Sequence, residues 1–155
     1  MQLTLFTDYA LRTLVYLGLR EGDGVVTVQE ISDAYGLSRH YMMKVAHELS
    51  RHGWVDSTRG RSGGLSLAID LRALTLGEVM RTTEPHAGVL DCVTQADSDC
   101  TIHAPCRLRG ILAEAEREWN RVLDRYTVAD LLESDRALRA KLGLVQITLP
   151  RDREV

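Results

Sequence analysis

The run Thr27-Val-Gln-Glu-Ile-Ser-Asp-Ala-Tyr-Gly-Leu-Ser38, continued by Arg39-His-Tyr-Met-Met-Lys-Val-Ala-His-Glu-Leu-Ser-Arg-His-Gly53, decides the architecture of this chain. Thr27 followed three residues later by Glu30 has the capping-box pattern of a helix start. A short helix is predicted from there through Ile31 and Ala34 to Tyr35, and Gly36-Leu37 makes the turn. Ser38 then stands where it can cap a second helix. Met42, Val45, Ala46 and Leu49 supply that helix's inner side and Arg39, His40, Tyr41, Lys44 and His47 its outer side, with Gly53 ending it. Short helix, glycine turn and capped helix read as a helix-turn-helix. Its second helix is the one that enters a major groove, N-terminal residues nearest the base edges.

Immediately downstream, Trp54-Val-Asp-Ser57 and Leu65-Ser-Leu-Ala68 flank Thr58-Arg-Gly-Arg-Ser-Gly-Gly64. Two short alternating strands around a glycine-rich tip predict a hairpin. Elsewhere such a hairpin would be no more than a solvated surface feature; directly after a helix-turn-helix it reads as a wing. Arg59 and Arg61 at its tip suit a minor groove or phosphates. The candidate DNA-contacting set is therefore Ser38, Arg39, His40, Tyr41, Lys44, Arg59 and Arg61. Net charge is −3, which alone argues for no nucleic-acid partner. Between Ser38 and Gly64, however, five basic residues face two acids, and a local basic patch on an acidic protein is an electrostatic footprint.

Upstream, Phe6, Ala10, Leu14 and Leu17 recur at helical spacing and predict a helix from near Thr4 to near Arg20, stopped by Glu21-Gly-Asp-Gly24. Asp8 and Arg12 lie four apart on it, the spacing of a surface ion pair. Downstream, Thr75-Leu-Gly-Glu78 offers a second capping box, and Pro85 stops the helix it opens. From Arg107 to about Tyr126 a long amphipathic helix is expected, with Leu108, Ile111, Leu112, Ala115, Trp119, Val122 and Leu123 on one stripe. A stripe of this length packs into a core or, in a small winged helix serving a two-fold operator, joins two copies. Tyr126 to Leu132 starts a further helix that Arg136 to Leu142 continues. The fold class is mainly α with a small β-hairpin: a winged helix-turn-helix plus a long C-terminal dimerisation helix. No apolar run reaches the roughly 18 residues of a membrane span, and the N-terminus lacks the marks of a signal peptide. A cytoplasmic location is expected. No nucleophile–base pairing or phosphate-cradling loop stands out, so an enzyme is not.

Between the helix that Pro85 stops and the one that starts at Arg107 lies an irregular stretch holding all three cysteines, Cys92, Cys100 and Cys106, in the spacing Cys-x7-Cys-x5-Cys. Long loops without structure are uncommon in compact domains unless they serve a function, and an odd set of clustered thiols in a reducing compartment argues against a disulfide framework. Soft thiolates select zinc, copper(I) or iron–sulfur clusters. Zinc with three cysteines takes a fourth ligand such as His103, but no tight Cys-x2-Cys knuckle is present. A cluster, larger than one ion, suits widely spread ligands better. Reactive or inert thiols are the third possibility.

Gln2-Leu-Thr, Phe6-Thr-Asp-Tyr-Ala-Leu-Arg12, Tyr35-Gly-Leu-Ser-Arg39, Arg59-Gly-Arg-Ser-Gly-Gly64, the three cysteines with Cys106-Arg-Leu, and Tyr126-Thr-Val-Ala-Asp-Leu131 together resemble the Rrf2 family of winged-helix iron–sulfur transcription regulators. The similarity covers about residues 1–145 and points to the family's nitric-oxide-sensitive repressors. It implies a homodimer on double-stranded operator DNA, with nitric oxide as signal and one cluster per subunit. That cluster would be 4Fe–4S, or 2Fe–2S as the smaller variant, bound by Cys92, Cys100 and Cys106. In this branch the fourth ligand is an aspartate near the start of the first helix, supplied by the other subunit; Asp8 has that place here. The biogenesis regulator of the same family uses instead a histidine three residues after its last cysteine, where this chain has Arg109. The gap between Cys92 and Cys100 is long for the family. The implied organisation is 1–84 DNA-binding winged helix, 85–106 cluster-binding loop, 107–145 dimerisation helices and 146–155 tail. An iron–sulfur or zinc/thiol-based redox-responsive regulator of the same fold is the alternative.

Overall fold

Helix α1 (Leu5–Leu19) is the element on which the others are assembled. In the computed structural model, which describes residues 3–60, 63–84, 91–94 and 100–144, the chain continues with α2 (Val28–Tyr35), α3 (Arg39–Arg51), β1 (Val55–Thr58) and β2 (Gly64–Leu67). After these come α4 (Leu76–Thr83), a short α5 (Asp91–Thr94), α6 (Arg107–Leu123), a 3-10 turn (Ala129–Leu132) and α7 (Asp135–Lys141). Around α1 pack α3, α4, the hairpin and the 3-10 turn. Ala10 and Leu14 on α1 are fully buried, as are Ile31, Val45, Leu49, Val79 and Val128 from the surrounding elements. Of the residues expected on inner faces from spacing alone, Ala10, Leu14, Leu17, Met42, Val45, Ala46 and Leu49 lie in this one cluster, and Phe6 packs against it. No described helix is long and apolar enough to cross a membrane.

The helix-turn-helix forms for local reasons. Thr27 accepts from the Glu30 amide, and the Glu30 carboxylate accepts in return from the Thr27 amide at 2.7 Å. That hydrogen bond holds the carboxyl below its usual range. Gly36 closes α2 in the left-handed conformation, φ 64°, and the Leu37 amide donates back to the Ser32 carbonyl at 2.8 Å, a glycine C-cap. A Cβ at Gly36 would meet no atom within 4 Å, so substitution strains only the backbone. Gly36→Ala should therefore cost about 1–2 kcal/mol, read as a lower urea midpoint with an unchanged slope. Ser38 occupies the N-cap of α3, but its side chain makes no capping hydrogen bond, unlike Thr27.

The wing is an antiparallel pair in the register Val55↔Leu67 to Thr58↔Gly64, as the alternation predicts. Val26 adds one residue of a third strand, exchanging hydrogen bonds of 2.8 and 2.7 Å with Leu65. Gly64 makes this possible, because a Cβ there would lie 2.8 Å from the Val26 carbonyl oxygen.

At the C-terminal end the structure departs from the expectation. Helix α6 stops at Leu123, and Thr127 bridges back to Thr75, with the Leu76 amide donating to the Tyr126 carbonyl at 2.8 Å. The expected single helix from Tyr126 to Leu142 is a 3-10 turn and then α7, separated at Glu133-Ser134. The Asp130 carboxylate accepts from the Thr127 amide and hydroxyl, which starts the turn locally and gives it a tight pitch. The supposedly irregular cysteine stretch contains α5, a single turn too short to leave a periodic signal. No residue of α6 is buried in the single chain.

Candidate nucleic-acid interface and cysteine segment

One face of α3 is open to solvent and rich in donors. Ser38, Arg39, His40, Lys44 and His47 are all exposed, and so is Arg59 at the wing. Arg39, Lys44 and Arg59 enter no ion pair among the described residues, whereas Arg51 on the same helix is bound to Glu48 at 3.0 Å. The cations along the open face are thus not neutralised by the protein, the condition for attracting a polyanion. Arg61 lies outside the described residues. Tyr41 is placed differently from the outward orientation expected of it. It is half-buried, edge-to-face with Tyr9 at 5.3 Å and Phe6 at 6.4 Å, and so joins α3 to α1. Met43, which the sequence reading passed over, is 51% exposed and lines a groove of about 520 Å³ with Phe6, His40, Lys44, His47 and Glu48.

Helix α1 carries Asp8 half-exposed. Its carboxylate is gripped by both ends of the Arg12 guanidinium, Nε to Oδ1 and Nη2 to Oδ2, each at 2.9 Å. The hydrogen bond to Asp8 holds Arg12 above its ordinary value. The guanidinium carbon also lies 5.5 Å from the centre of the Tyr35 ring, whose phenol burial pushes up to about 12. In the single chain Asp8 is therefore the ion-pair partner its spacing predicts. The first turn of α1 is also knitted to the end of α4. Thr7 and Thr83 share a buried hydroxyl hydrogen bond of 2.8 Å. Glu84 accepts from the Thr4 amide at 2.9 Å and from its hydroxyl at 3.2 Å.

The cysteines follow. Cys92 on α5 and Cys106 at the N-cap of α6 are half-buried, and Cys100 is exposed. The Cys92 carbonyl accepts from Arg109 Nε at 2.8 Å and faces His103 Nε2 at 3.2 Å. The His103 amide donates to the Cys100 carbonyl at 2.9 Å. Among the described residues no three His, Cys, Asp or Glu side chains converge on a point that would hold a metal ion. The structure thus brings the cysteine backbones together without gathering the thiols with Asp8 into one shell.

The surroundings nonetheless fit an anionic metal–sulfur group. Helix α6 begins without a side-chain cap and without an acid in its first turn, while Arg107 and Arg109 stand there. Helix N-termini present unpaired N–H groups and a partial positive charge that stabilise anions, and two arginines at that end are unfavourable unless something negative sits nearby. Three soft donors beside such a terminus suit iron–sulfur ligation.

Comparison with known proteins agrees with this picture. The family model for Rrf2, an iron-dependent transcriptional regulator, matches residues 3–134. The chain is 38% identical over 142 residues to the HTH-type transcriptional regulator NsrR of Shouchella clausii, covering 92% of this chain and 95% of that one. It is 39% identical over 142 residues to the NsrR of Geobacillus kaustophilus, covering 92% and 97%. Among solved structures, CymR, the global cysteine regulator of B. subtilis, superposes with TM-score 0.70 at 24% identity, over 86% of this chain and 98% of that one. IscR of T. potens gives 0.67 at 25%, over 86% and 88%. The winged-helix fold is common to all, and the chain belongs to the Rrf2 family of transcriptional regulators, as an NsrR-type member.

Proposed function

We propose that this protein is a nitric-oxide-sensing repressor that binds operator DNA as a homodimer while an iron–sulfur cluster is intact and releases it on nitrosylation. The observation that carries this reading is the set of three cysteines at the uncapped, arginine-bearing start of α6, in a winged-helix chain whose relatives are named NsrR. Cys92, Cys100 and Cys106 would hold the cluster, of 4Fe–4S type, and Asp8 of the second copy would complete its ligation. When bound, the cluster supplies iron atoms that react with nitric oxide.

The chain's own residues turn that event into a change at DNA. Asp8 belongs to α1, whose first turn is tied through Thr4 and Thr7 to Thr83 and Glu84, the residues leading toward the cysteine segment. The same helix meets α3 through Phe6, Tyr9 and Tyr41. As a ligand of the second copy's cluster, Asp8 would give up Arg12 and couple the two subunits, which would set the separation of the two α3 helices. Successive major grooves require about 34–36 Å between them. Without that ligation Asp8 would pair with Arg12, which stands 2.9 Å away on the same helix, and the spacing would relax. Two sites then share one two-state element, as allostery requires.

Anaerobic purification, iron and sulfide analysis and a nitric-oxide titration against an AT-rich inverted-repeat duplex test the proposal. Sulfide in the protein, with stepwise release of the duplex on titration, is the expected result. A protein without sulfide, or one that keeps the duplex throughout, refutes it; a zinc or thiol sensor would give the first outcome.

At the operator, Arg39→Ala should cost about 1–3 kcal/mol of affinity and relax the preference at one base position, because Arg39 is an exposed, unneutralised cation at the start of α3. Uniform weakening on every duplex would reassign it to phosphate.

A further inference from the structure

The residue three positions beyond the last cysteine is an arginine, and its side chain is already engaged. Arg109 Nε donates to the backbone carbonyl of Cys92 across a sequence separation of 17 residues, at 2.8 Å. A carbonyl oxygen has two lone pairs, and the second faces His103 Nε2 at 3.2 Å. The backbone amide of His103 in turn donates to the Cys100 carbonyl at 2.9 Å. Cys106 occupies the N-cap position of the helix on whose first turn Arg109 sits. Two residues, neither a thiol, thereby connect the main chain at all three cysteines, and the bond from the guanidinium is charge-assisted and so the strongest of them.

We propose that Arg109, seconded by His103, is a latch that orders the cysteine segment against the N-terminus of α6 so that its thiols are prearranged for cluster assembly and retention. The inference rests on the cluster reading given above and deepens it: Arg109 is a positioning residue, not a ligand. Gathering three thiolates from a long segment is opposed by the conformational entropy of that segment. A latch formed before the cluster arrives lowers that cost at the moment of binding, as preorganisation does for any ligand. Arg109 also adds positive charge beside an anionic group, and partners of this kind, outside the ligands themselves, set metal affinity. The latch holds Cys92 through its carbonyl oxygen, so the residue is positioned through its main chain and its sulfur is not used up by the latch.

The test compares the wild-type chain with Arg109→Met, which keeps length but has no donor, and Arg109→Lys, which keeps the charge and one donor. In metal-free protein, iodoacetamide labelling of Cys92, which is half-buried, should quicken several-fold in Arg109→Met while labelling of Cys100 holds steady. The melting temperature of the metal-free chain should stay the same, since Arg109 is not part of the buried cluster around α1. After loading with ferrous iron and sulfide, iron loss to a chelator should be about 10–100-fold faster in Arg109→Met, and Arg109→Lys should recover much of the difference. Wild-type protein that takes up iron and sulfide, with all three chains releasing iron equally fast, overturns the latch and leaves the cluster reading standing. Unchanged Cys92 labelling in Arg109→Met also overturns it. A wild-type chain that acquires no sulfide removes the cluster reading itself, and the latch with it.

Discussion

Replacing Cys100 by alanine should yield a folded but colourless protein whose operator affinity drops to the level of its non-specific DNA binding. Specific and non-specific affinities of DNA-binding proteins typically differ by about 10³-fold or more, and a loss of at least that size is expected. The fold has no reason to fail: Cys100 is exposed and belongs to no part of the buried cluster around α1, so the substitution opens no cavity. The effect must come from the sulfur. With only Cys92 and Cys106 left, the proposed cluster would lack one of its three intra-chain donors, and the two copies would lose the ligation proposed for Asp8. The measurement is a pair: iron and sulfide content, and affinity for specific against scrambled duplexes at one fixed salt concentration. Equal content of iron with lost affinity would mean that Cys100 acts on DNA by another route; lost iron with retained affinity would detach the cluster from regulation.

What made these sites legible was local. The Thr27–Glu30 box, the glycine at position 36 and the wing pairing from Val55 to Thr58 are each enforced within a few residues, so sequence spacing carries them directly. The rest depends on contacts between distant segments. Helical spacing assigns Tyr41 outward, but Phe6 and Tyr9 lie beside it in space and draw it half inside. The end of α6 depends on Thr75, which captures Thr127 from a third of the chain away, and no propensity of residues 124–126 announces it. The engagement of Arg109 with Cys92 joins two residues whose relation no motif encodes. Asp8 and Arg12 mark the boundary between the two cases. Spacing alone predicts their pairing, and the single chain contains it, while the carboxylate's part in a second subunit follows only from family resemblance.

Placing a carboxylate on the apolar stripe of α6, by Ile111→Glu together with Val122→Glu, should leave the monomer's stability near that of the wild type and abolish the dimer. The single chain explains the first half. Ile111 is 55% exposed and Val122 41% exposed, so neither substitution buries a charge within one subunit, and surface changes of this sort alter stability by about 0.5 kcal/mol or less. The second half follows from the expectation that the stripe joins two copies. Leu108, Ile111, Trp119 and Val122 leave large apolar surface in water along a single helix face, which folded proteins seldom tolerate over a contiguous patch unless a partner covers it. The opposite face carries the charges expected of a solvated one, with Arg121 bound to Glu118 at 3.3 Å. A second copy meeting the stripe about a two-fold axis brings each substituted position near the same stripe again, so four carboxylates would be driven into an apolar seam. Breaking an interface with unpaired buried charge costs several kcal/mol, enough to move a dimer out of any practical concentration range. Sedimentation equilibrium reads the assembly, and operator affinity reads its consequence, since one winged helix can occupy only one half-site. If the doubly substituted protein still sediments as a dimer, the two copies meet through some other face, and the cross-subunit role of Asp8 must be rebuilt around that interface.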